Sequence, residues 1–211
     1  MTQDSQSPGG WDPGLLAPLA ELNEQLLELL CGAELPAASG ARAVGAWPLG
    51  NLAAELRALT PVMRSRLARC PYLLIDAAFG QSERWHGPLI RVMDAAPAGG
   101  QFASAEGRTL LRRSLLFAWH LAGSNRAMAR ITLGMSSDCA ERIAQFRLRD
   151  LEWLAELSPP WIRPRWDDQP LHWQRLIAAA RREPPLLLRQ LQWHGLALLA
   201  ARAGQAEGLL C

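Results

Sequence analysis

Apolar residues recur at helical spacing along most of the chain. Between residues 15 and 30, leucines recur three or four positions apart, and Gly32 follows as a stop signal. Thr60 and Pro61 supply an N-cap followed by proline at the first helical position, which predicts a helix through Arg69. The same spacing predicts further helices at 51–58, 108–121 (closed by Gly123), 126–133, from Ser136 or Ser137 to 146, 148–157, 171–182 and 185–203. The pattern therefore predicts an all-α fold, a multi-helix bundle.

Two short apolar stretches depart from the helical repeat. Residues 72–75 come directly after Pro71, and residues 161–166 follow the Ser-Pro-Pro sequence at 158–160. Because proline ends the preceding helix in both places, we predict one short extended segment in each half of the chain.

A small, turn-rich stretch at 95–107 (AAPAGGQFASAEG) is the best candidate for a domain boundary. It separates two halves that each contain a helical hairpin followed by an extended segment. The predicted division is a flexible leader at 1–13, an N-terminal helical half at 14–94, the linker at 95–107, a second helical half at 108–182 and a C-terminal helix at 183–211 that packs on the core.

The two halves share a pattern of apolar positions at an offset of 87 residues. Either an internal duplication or the coincidence of helical periodicity in a leucine-rich chain accounts for it. The matching pairs are Leu56 with Ile143, Leu59 with Phe146, Leu67 with Leu154, Ala68 with Ala155 and Ile75 with Ile162.

Charge is distributed unevenly between the halves. All 22 basic residues are arginine; residues 108–182 carry 13 of them against 7 acidic residues, whereas residues 1–107 carry 7 against 11. An anionic partner would therefore contact the second half, and a solvated arginine-rich face is the alternative. With 49% hydrophobic and 20% charged residues, the composition is that of a globular protein.

The sequence predicts a cytoplasmic protein without membrane contact. The first ten residues, MTQDSQSPGG, lack the basic residues and apolar run of a signal peptide. The apolar stretch 186–201 is interrupted by Arg189 and three other polar residues, so we predict a buried helix of a soluble protein.

No motif for catalysis, cofactor binding or metal binding is present in the sequence. The four cysteines show no CxxC spacing, and none of the four histidines lies near a second ligand at metal spacing. Nucleophile elbows, P-loops and dinucleotide glycine patterns are also missing. We therefore predict no enzyme activity, no cofactor and no metal.

The candidate surface for a partner or nucleic acid lies in the second half. Residues 137–157 are compatible with a helix-turn-helix that exposes Arg147, Arg149 and Trp153, although Asp150 and Glu152 would repel phosphates; an ordinary helical hairpin is the alternative. Arg163 and Arg165 alternate with tryptophans, as at stacking platforms and interface hot spots. In the alternative, these tryptophans are core anchors and the arginines point to water.

A pattern of small and apolar residues runs through residues 115–177. Its elements are Leu115-Leu116, Ala118, Ala127-Met128-Ala129, Leu133-Gly134, Ile143-Ala144, Leu148, Leu154-Ala155 and Arg165-Trp166-Asp167. In this pattern, residues 115–177 resemble the FlhD family of bacterial flagellar regulators, and a weaker similarity lies in residues 15–94. This chain is longer than that family's subunit and richer in tryptophan.

The resemblance implies an all-helical, dimerising subunit that works with FlhC to recruit RNA polymerase at promoters. We therefore expect a non-enzymatic regulatory subunit that acts through protein–protein contacts with an FlhC-like subunit or another regulator, with DNA contact as an additional interaction. It would form a homo-oligomer or a monomeric pseudo-dimer of its two halves. The alternatives are a structural adaptor of a bacterial secretion or motility apparatus without DNA binding, and a small-molecule sensor.

Overall fold

The computed structural model describes residues 13–32, 50–85 and 101–208. Within these residues the chain forms nine α-helices, one 3₁₀ helix and a two-stranded sheet, which confirms the predicted all-α fold. Residues 1–12 of the predicted leader, residues 33–49 and 86–94 of the predicted first half, residues 95–100 of the predicted linker and residues 209–211 lie outside the described residues.

The helices and strands lie close to their predicted bounds. Two of the predicted helices, at 126–133 and 148–157, begin and end at the predicted residues. The elements are α1 (Pro13–Gly32), α2 (Gly50–Arg57), α3 (Pro61–Ala68), β1 (Ile75–Asp76), the 3₁₀ helix (Ser82–Trp85), α4 (Ala105–Ser124), α5 (Arg126–Leu133), α6 (Ser137–Gln145), α7 (Leu148–Leu157), β2 (Arg163–Pro164), α8 (Pro170–Ala180) and α9 (Leu186–Gly208).

Side-chain caps explain several of these bounds. The Thr60 hydroxyl accepts a hydrogen bond from the Met63 N–H at 3.3 Å, as the sequence predicts for the start of α3. Ser136 caps α6 in the same way, through the Cys139 N–H at 3.2 Å. Helix α5 ends at Gly134, whose φ of 69° is a left-handed conformation that glycine adopts without strain.

Helix α4 is longer than predicted at both ends. Gly123 lies inside it rather than closing it, because Asn125 ends α4 and then caps α5 by accepting from the Met128 N–H. At the other end, Ser104 caps the helix, so residues 105–107 of the predicted linker form its first turn. Phe102, also in that predicted linker, is fully buried. The second half therefore begins earlier than 108.

The two halves share one continuous hydrophobic core. Helix α4 packs against α5, α6, α7 and α1, while α1 packs against α2 and α3. Helix α9 covers α5 and α8. Helix α7 packs on this core through Leu151, Leu154 and Ala155, which are buried, whereas Leu148 at its first position is 50% exposed.

A buried segment around β1 lies at the centre of this core. Asn23 on α1 donates to the carbonyl oxygens of Ala68 and Tyr72, both at 3.0 Å, and accepts from the Leu74 N–H at 2.8 Å. From the opposite side, the Leu73 N–H donates to the carbonyl oxygen of Thr132 at 3.1 Å. The Asn23 side chain and the Thr132 backbone, on two distant helices, thus satisfy backbone groups that a two-residue strand leaves unpaired.

Strand β1 overlaps the first predicted extended segment, 72–75, at Ile75, strand β2 lies within the second, 161–166, and the two strands pair with each other. The pairing is antiparallel, with Ile75 opposite Pro164 and Asp76 opposite Arg163. Before the two strands, helices α2 and α6 begin 87 residues apart, as do α3 and α7.

The elements that follow the two strands pack on helices distant in the sequence. Helix α8 of the second half packs on α2 and α3 of the first, and the 3₁₀ helix of the first half packs on α6 of the second. Each hairpin is therefore covered partly by the other half of the chain.

The contact between Gly107 and Phe102 predicts the effect of a single methyl group. In Gly107→Ala, the new Cβ would lie 2.8 Å from the Cα and the carbonyl oxygen of Phe102, which are backbone atoms of a fully buried residue. We expect a loss of about 1–3 kcal/mol of unfolding free energy from this overlap, measured by urea denaturation. The overlap should outweigh the ~0.5–1 kcal/mol by which alanine is preferred to glycine within a helix.

Gly123→Ala on the same helix is the matched control. Its Cβ would meet no atom within 4 Å, so this variant should gain about 0.5–1 kcal/mol. Equal stabilisation by both substitutions would contradict the close approach of α4 to the preceding segment.

Candidate interaction surfaces

The hairpin of α6 and α7 presents two of the predicted site residues. A two-residue extended connection, Phe146 and Arg147, joins the helices, and the Asp150 carboxylate accepts from the Arg147 N–H at 3.3 Å. Arg147 and Arg149 are exposed in the first turn of α7, whereas Trp153 is half-buried. The structure therefore places Arg147 and Arg149 together at one end of the hairpin.

Salt bridges and one tryptophan hold this hairpin against α4. The Glu156 carboxylate lies 3.2 Å from Arg108 and also pairs with Arg112. The indole N–H of Trp119 donates to the carbonyl oxygen of Phe146 at 3.0 Å. Two arginines of the basic second half are thus engaged within the chain.

Arg165 is a structural residue, and its prediction as a surface residue is wrong. It is only 4% exposed, and its guanidinium donates to the carbonyl oxygens of Leu73 (2.7 Å), Leu133 (2.9 Å) and Ile75 (3.1 Å). Burial lowers the pKa of this guanidinium, and the carboxylate of Asp76 opposes that shift. The group takes up three orphaned acceptors of β1 and the end of α5.

The alternation rule of a strand fails here because β2 is only two residues long. Trp166 follows in a left-handed turn with φ of 55°, so Arg165 and Trp166 both point into the core. The indole of Trp173 donates to the Arg165 carbonyl oxygen at 2.9 Å. The alternative, in which Trp161 and Trp166 are core anchors and the arginines point to water, is therefore correct for Trp166 but wrong for Arg165, and Trp161 is half-buried. Trp173 is buried as well.

Arg163 is exposed but engaged. Its guanidinium lies 3.2 Å from a carboxylate oxygen of Asp167, a residue that is itself buried. Burial raises the pKa of Asp167, and the nearby Arg163 charge opposes this. Arg163 therefore compensates a buried carboxylate as well as facing water.

Helix α9 carries an exposed apolar surface that the sequence analysis missed. One face packs on the core through Leu188, Leu196 and Leu199. The other face exposes large apolar side chains: Leu186 (61%), Leu187 (41%), Trp193 (52%) and Leu198 (36%). The prediction of a buried helix is thus correct for one face only, and the available signal was that apolar residues surround the whole helix.

In the described part of the chain, no group of three or more His, Cys, Asp or Glu residues could hold a metal ion. Burial raises the pKa of the Cys70 thiol to about 12 and also raises the pKa of the Cys139 thiol. Within the same residues, no helix is long and apolar enough to cross a membrane.

Comparisons with protein-family models, curated proteins and solved structures found no significant match. The resemblance to FlhD therefore rests on the sequence of residues 115–177 and stays a prediction.

Removing the Arg165 guanidinium should strongly destabilise the fold. Arg165→Met leaves three buried carbonyl oxygens without donors, and we expect a loss of about 3 kcal/mol or more in urea denaturation. Arg165→Lys should fail to rescue, because a single ammonium group lacks the planar fork that reaches all three acceptors. Arg149→Met, at a site whose side chain is 72% exposed, should change the unfolding free energy by less than about 0.5 kcal/mol. Equal effects at the two positions would refute the structural role of Arg165.

His172 should make stability depend on pH. It packs on the Trp166 ring, with ring centroids 4.3 Å apart. Burial, and then the charges of His194 and Arg175, lower its pKa from 6.5. As pH falls, His172 is therefore protonated in the unfolded chain before it is protonated in the folded chain. The contribution of neutral His172 to the free energy of unfolding is complete above pH 6.5 and is lost as pH falls through the folded pKa.

We expect His172→Gln to flatten the decrease of unfolding free energy between about pH 7.5 and pH 5. His120→Gln, at an exposed position on α4, is the control and should leave the slope as in the parent chain. If the unfolding free energies of His172→Gln and of the parent chain decreased equally with falling pH, the role of His172 in this pH dependence would be contradicted.

Proposed function

We propose that this protein is a non-enzymatic regulatory subunit, resembling FlhD, that acts through protein–protein contacts in a transcription-regulating complex. The observation that carries this proposal is the exposed apolar face of α9. Leu186 and Trp193 lie seven residues apart, so they share one side of the helix. Large contiguous apolar surfaces on folded proteins mark sites of association, and an aromatic anchor such as Trp193 is typical of interface hot spots.

At least four of the 13 arginines in residues 108–182 are engaged within the fold, which reduces the positive charge available for DNA contact. Arg108, Arg112 and Arg163 pair with carboxylates, and Arg165 is buried. Each phosphate contact needs an available cation, and the exposed pair on α7, Arg147 and Arg149, lies beside acidic Asp150 and Glu152. This distribution also supports the alternative function, a structural adaptor of a bacterial secretion or motility apparatus without DNA binding.

We further propose that the two halves arose by duplication and form an intramolecular pseudo-dimer. Three observations support this: the 87-residue spacing of α2 and α6 and of α3 and α7, the antiparallel pairing of β1 with β2, and the packing of the elements that follow them on helices distant in the sequence. A two-fold interface is expected to be reciprocal in this way. The pseudo-dimer would replace the homodimer of the FlhD family and leave α9 to contact a different protein.

The test is reconstitution with an FlhC-like subunit. We expect a stable complex on size-exclusion chromatography that persists at about 0.5 M salt, because apolar contacts are not screened as charge contacts are. The double variant Leu186→Glu and Trp193→Glu should abolish the complex. The matched variant Leu148→Glu, which charges the 50% exposed leucine of α7, should leave it intact.

DNA retention separates the two candidate functions. If the complex contacts promoter DNA through α7, log affinity should fall linearly with log salt, and Arg147→Gln with Arg149→Gln should reduce that slope by about 2. A complex that retains no DNA at low salt would support the adaptor. Failure to form any complex with the FlhC-like subunit would contradict the FlhD-like assignment.

A further inference from the structure

A groove with a basic rim lies beside the exposed face of α9. Helices α1, α3 and α9 form its walls, and its volume is about 770 Å³. The side-chain amide of Gln192 on α9 donates to the carbonyl oxygen of Arg66 on α3 at 3.1 Å. This bond fixes the spacing of two walls, so the groove belongs to the packed fold.

The floor of the groove is apolar and its walls contain small residues. Leu188 is buried at the floor, and Leu16 is partly buried on the α1 side. Ala17 and Ala20 line the same wall and leave room for a close approach of another backbone. Trp193 stands at the rim, where it joins the groove to the exposed face of α9.

Among the described residues, the charged side chains that line the groove are all arginines. Arg66 and Arg69 come from α3 and Arg189 comes from α9, while no acidic side chain lines the groove within the described residues. The nearby Glu183 pairs with Arg66, and this carboxylate is largely exposed. Arg69 and Arg189 are themselves exposed, so the rim carries net positive charge.

We propose that this groove binds an amphipathic α-helix of a partner protein whose apolar stripe is flanked by Asp or Glu. An apolar trough between helices accommodates anchors at positions i, i+4 and i+7 of a docked helix. The arginine rim selects acidic flanks, and it disfavours basic helices through like-charge repulsion. A concave site fits a helix better than a flat bilayer surface, which would contact a convex face. The proposal rests on the proposed docking function and specifies the chemistry of the partner.

A helical peptide library tests the proposal without a known partner. The library displays helices of about 16 residues, roughly 24 Å long, with apolar residues fixed at i, i+4 and i+7 and with Glu, Lys or Ser randomised at the flanks. Selection on the full chain should enrich Glu at the flanks. Selection on the double variant Arg69→Glu and Arg189→Glu should reverse the enrichment to Lys.

Single peptides from the selection then give affinities by fluorescence anisotropy. The double variant should bind the Glu-flanked peptide at least about tenfold more weakly than the parent chain. Leu16→Glu and Trp193→Ala should also weaken binding. Arg147→Glu with Arg149→Glu, a charge reversal of the same size on α7, should leave the affinity unchanged. Circular dichroism and thermal unfolding show that each variant is folded.

Each of three other outcomes would overturn the proposal: enrichment that ignores flank charge, equal weakening by the α7 control, and tighter binding to anionic phospholipid vesicles that depends on the same arginines. Reconstitution with the FlhC-like subunit distinguishes this failure from failure of the proposed function. If the complex with the FlhC-like subunit still forms with the groove variants, the proposed function is supported and the groove is excluded as its binding site. If the groove binds peptides by charge but no such complex forms, the groove proposal is supported and the FlhD-like function is contradicted.

Discussion

The fold depends on how the backbone of residues 72–76 is satisfied in the middle of the core. A two-residue strand pair supplies few hydrogen bonds of its own, and an isolated two-stranded sheet has little stability. Asn23 binds this segment from α1, Thr132 from α5, and the Arg165 guanidinium from the end of β2. Helices from both halves thus converge on one stretch of chain, and the cost of leaving these polar groups unpaired holds the halves together.

Local signals made most of the helices predictable. Caps such as Thr60 and Ser136, the glycine at 134 and the proline pair after Ser158 act within a few residues of the bounds they set. The prediction that Gly123 ends α4 is wrong. A glycine near a helix end resembles a stop signal, but Asn125 sets the end of α4 by capping the next helix. Such competition between adjacent signals depends on backbone geometry that composition does not specify.

The roles of the arginines could not be predicted from local sequence. Arg163 and Arg165 are two residues apart in the same extended segment, yet one faces water beside Asp167 and the other is enclosed by three carbonyl groups. That difference arises from residues about 30 and 90 positions away, Leu133 and Leu73, which only tertiary structure brings near. The net charge of a segment therefore overstates the charge it offers to a partner. The exposed face of α9 was missed for a related reason, since burial of an apolar helix depends on its neighbours.

The packing of α8 on α2 and α3 has a consequence for folding during synthesis. Helix α1 covers one part of α2 and α3, but the part that α8 covers stays exposed until residues through Ala180 have left the ribosome. Domains usually fold as units while the chain emerges, and exposed apolar surface at that stage invites aggregation. Packing of the first half can therefore be completed only after α8 has been synthesised. A nascent chain that stalls before α8 would present that surface to chaperones.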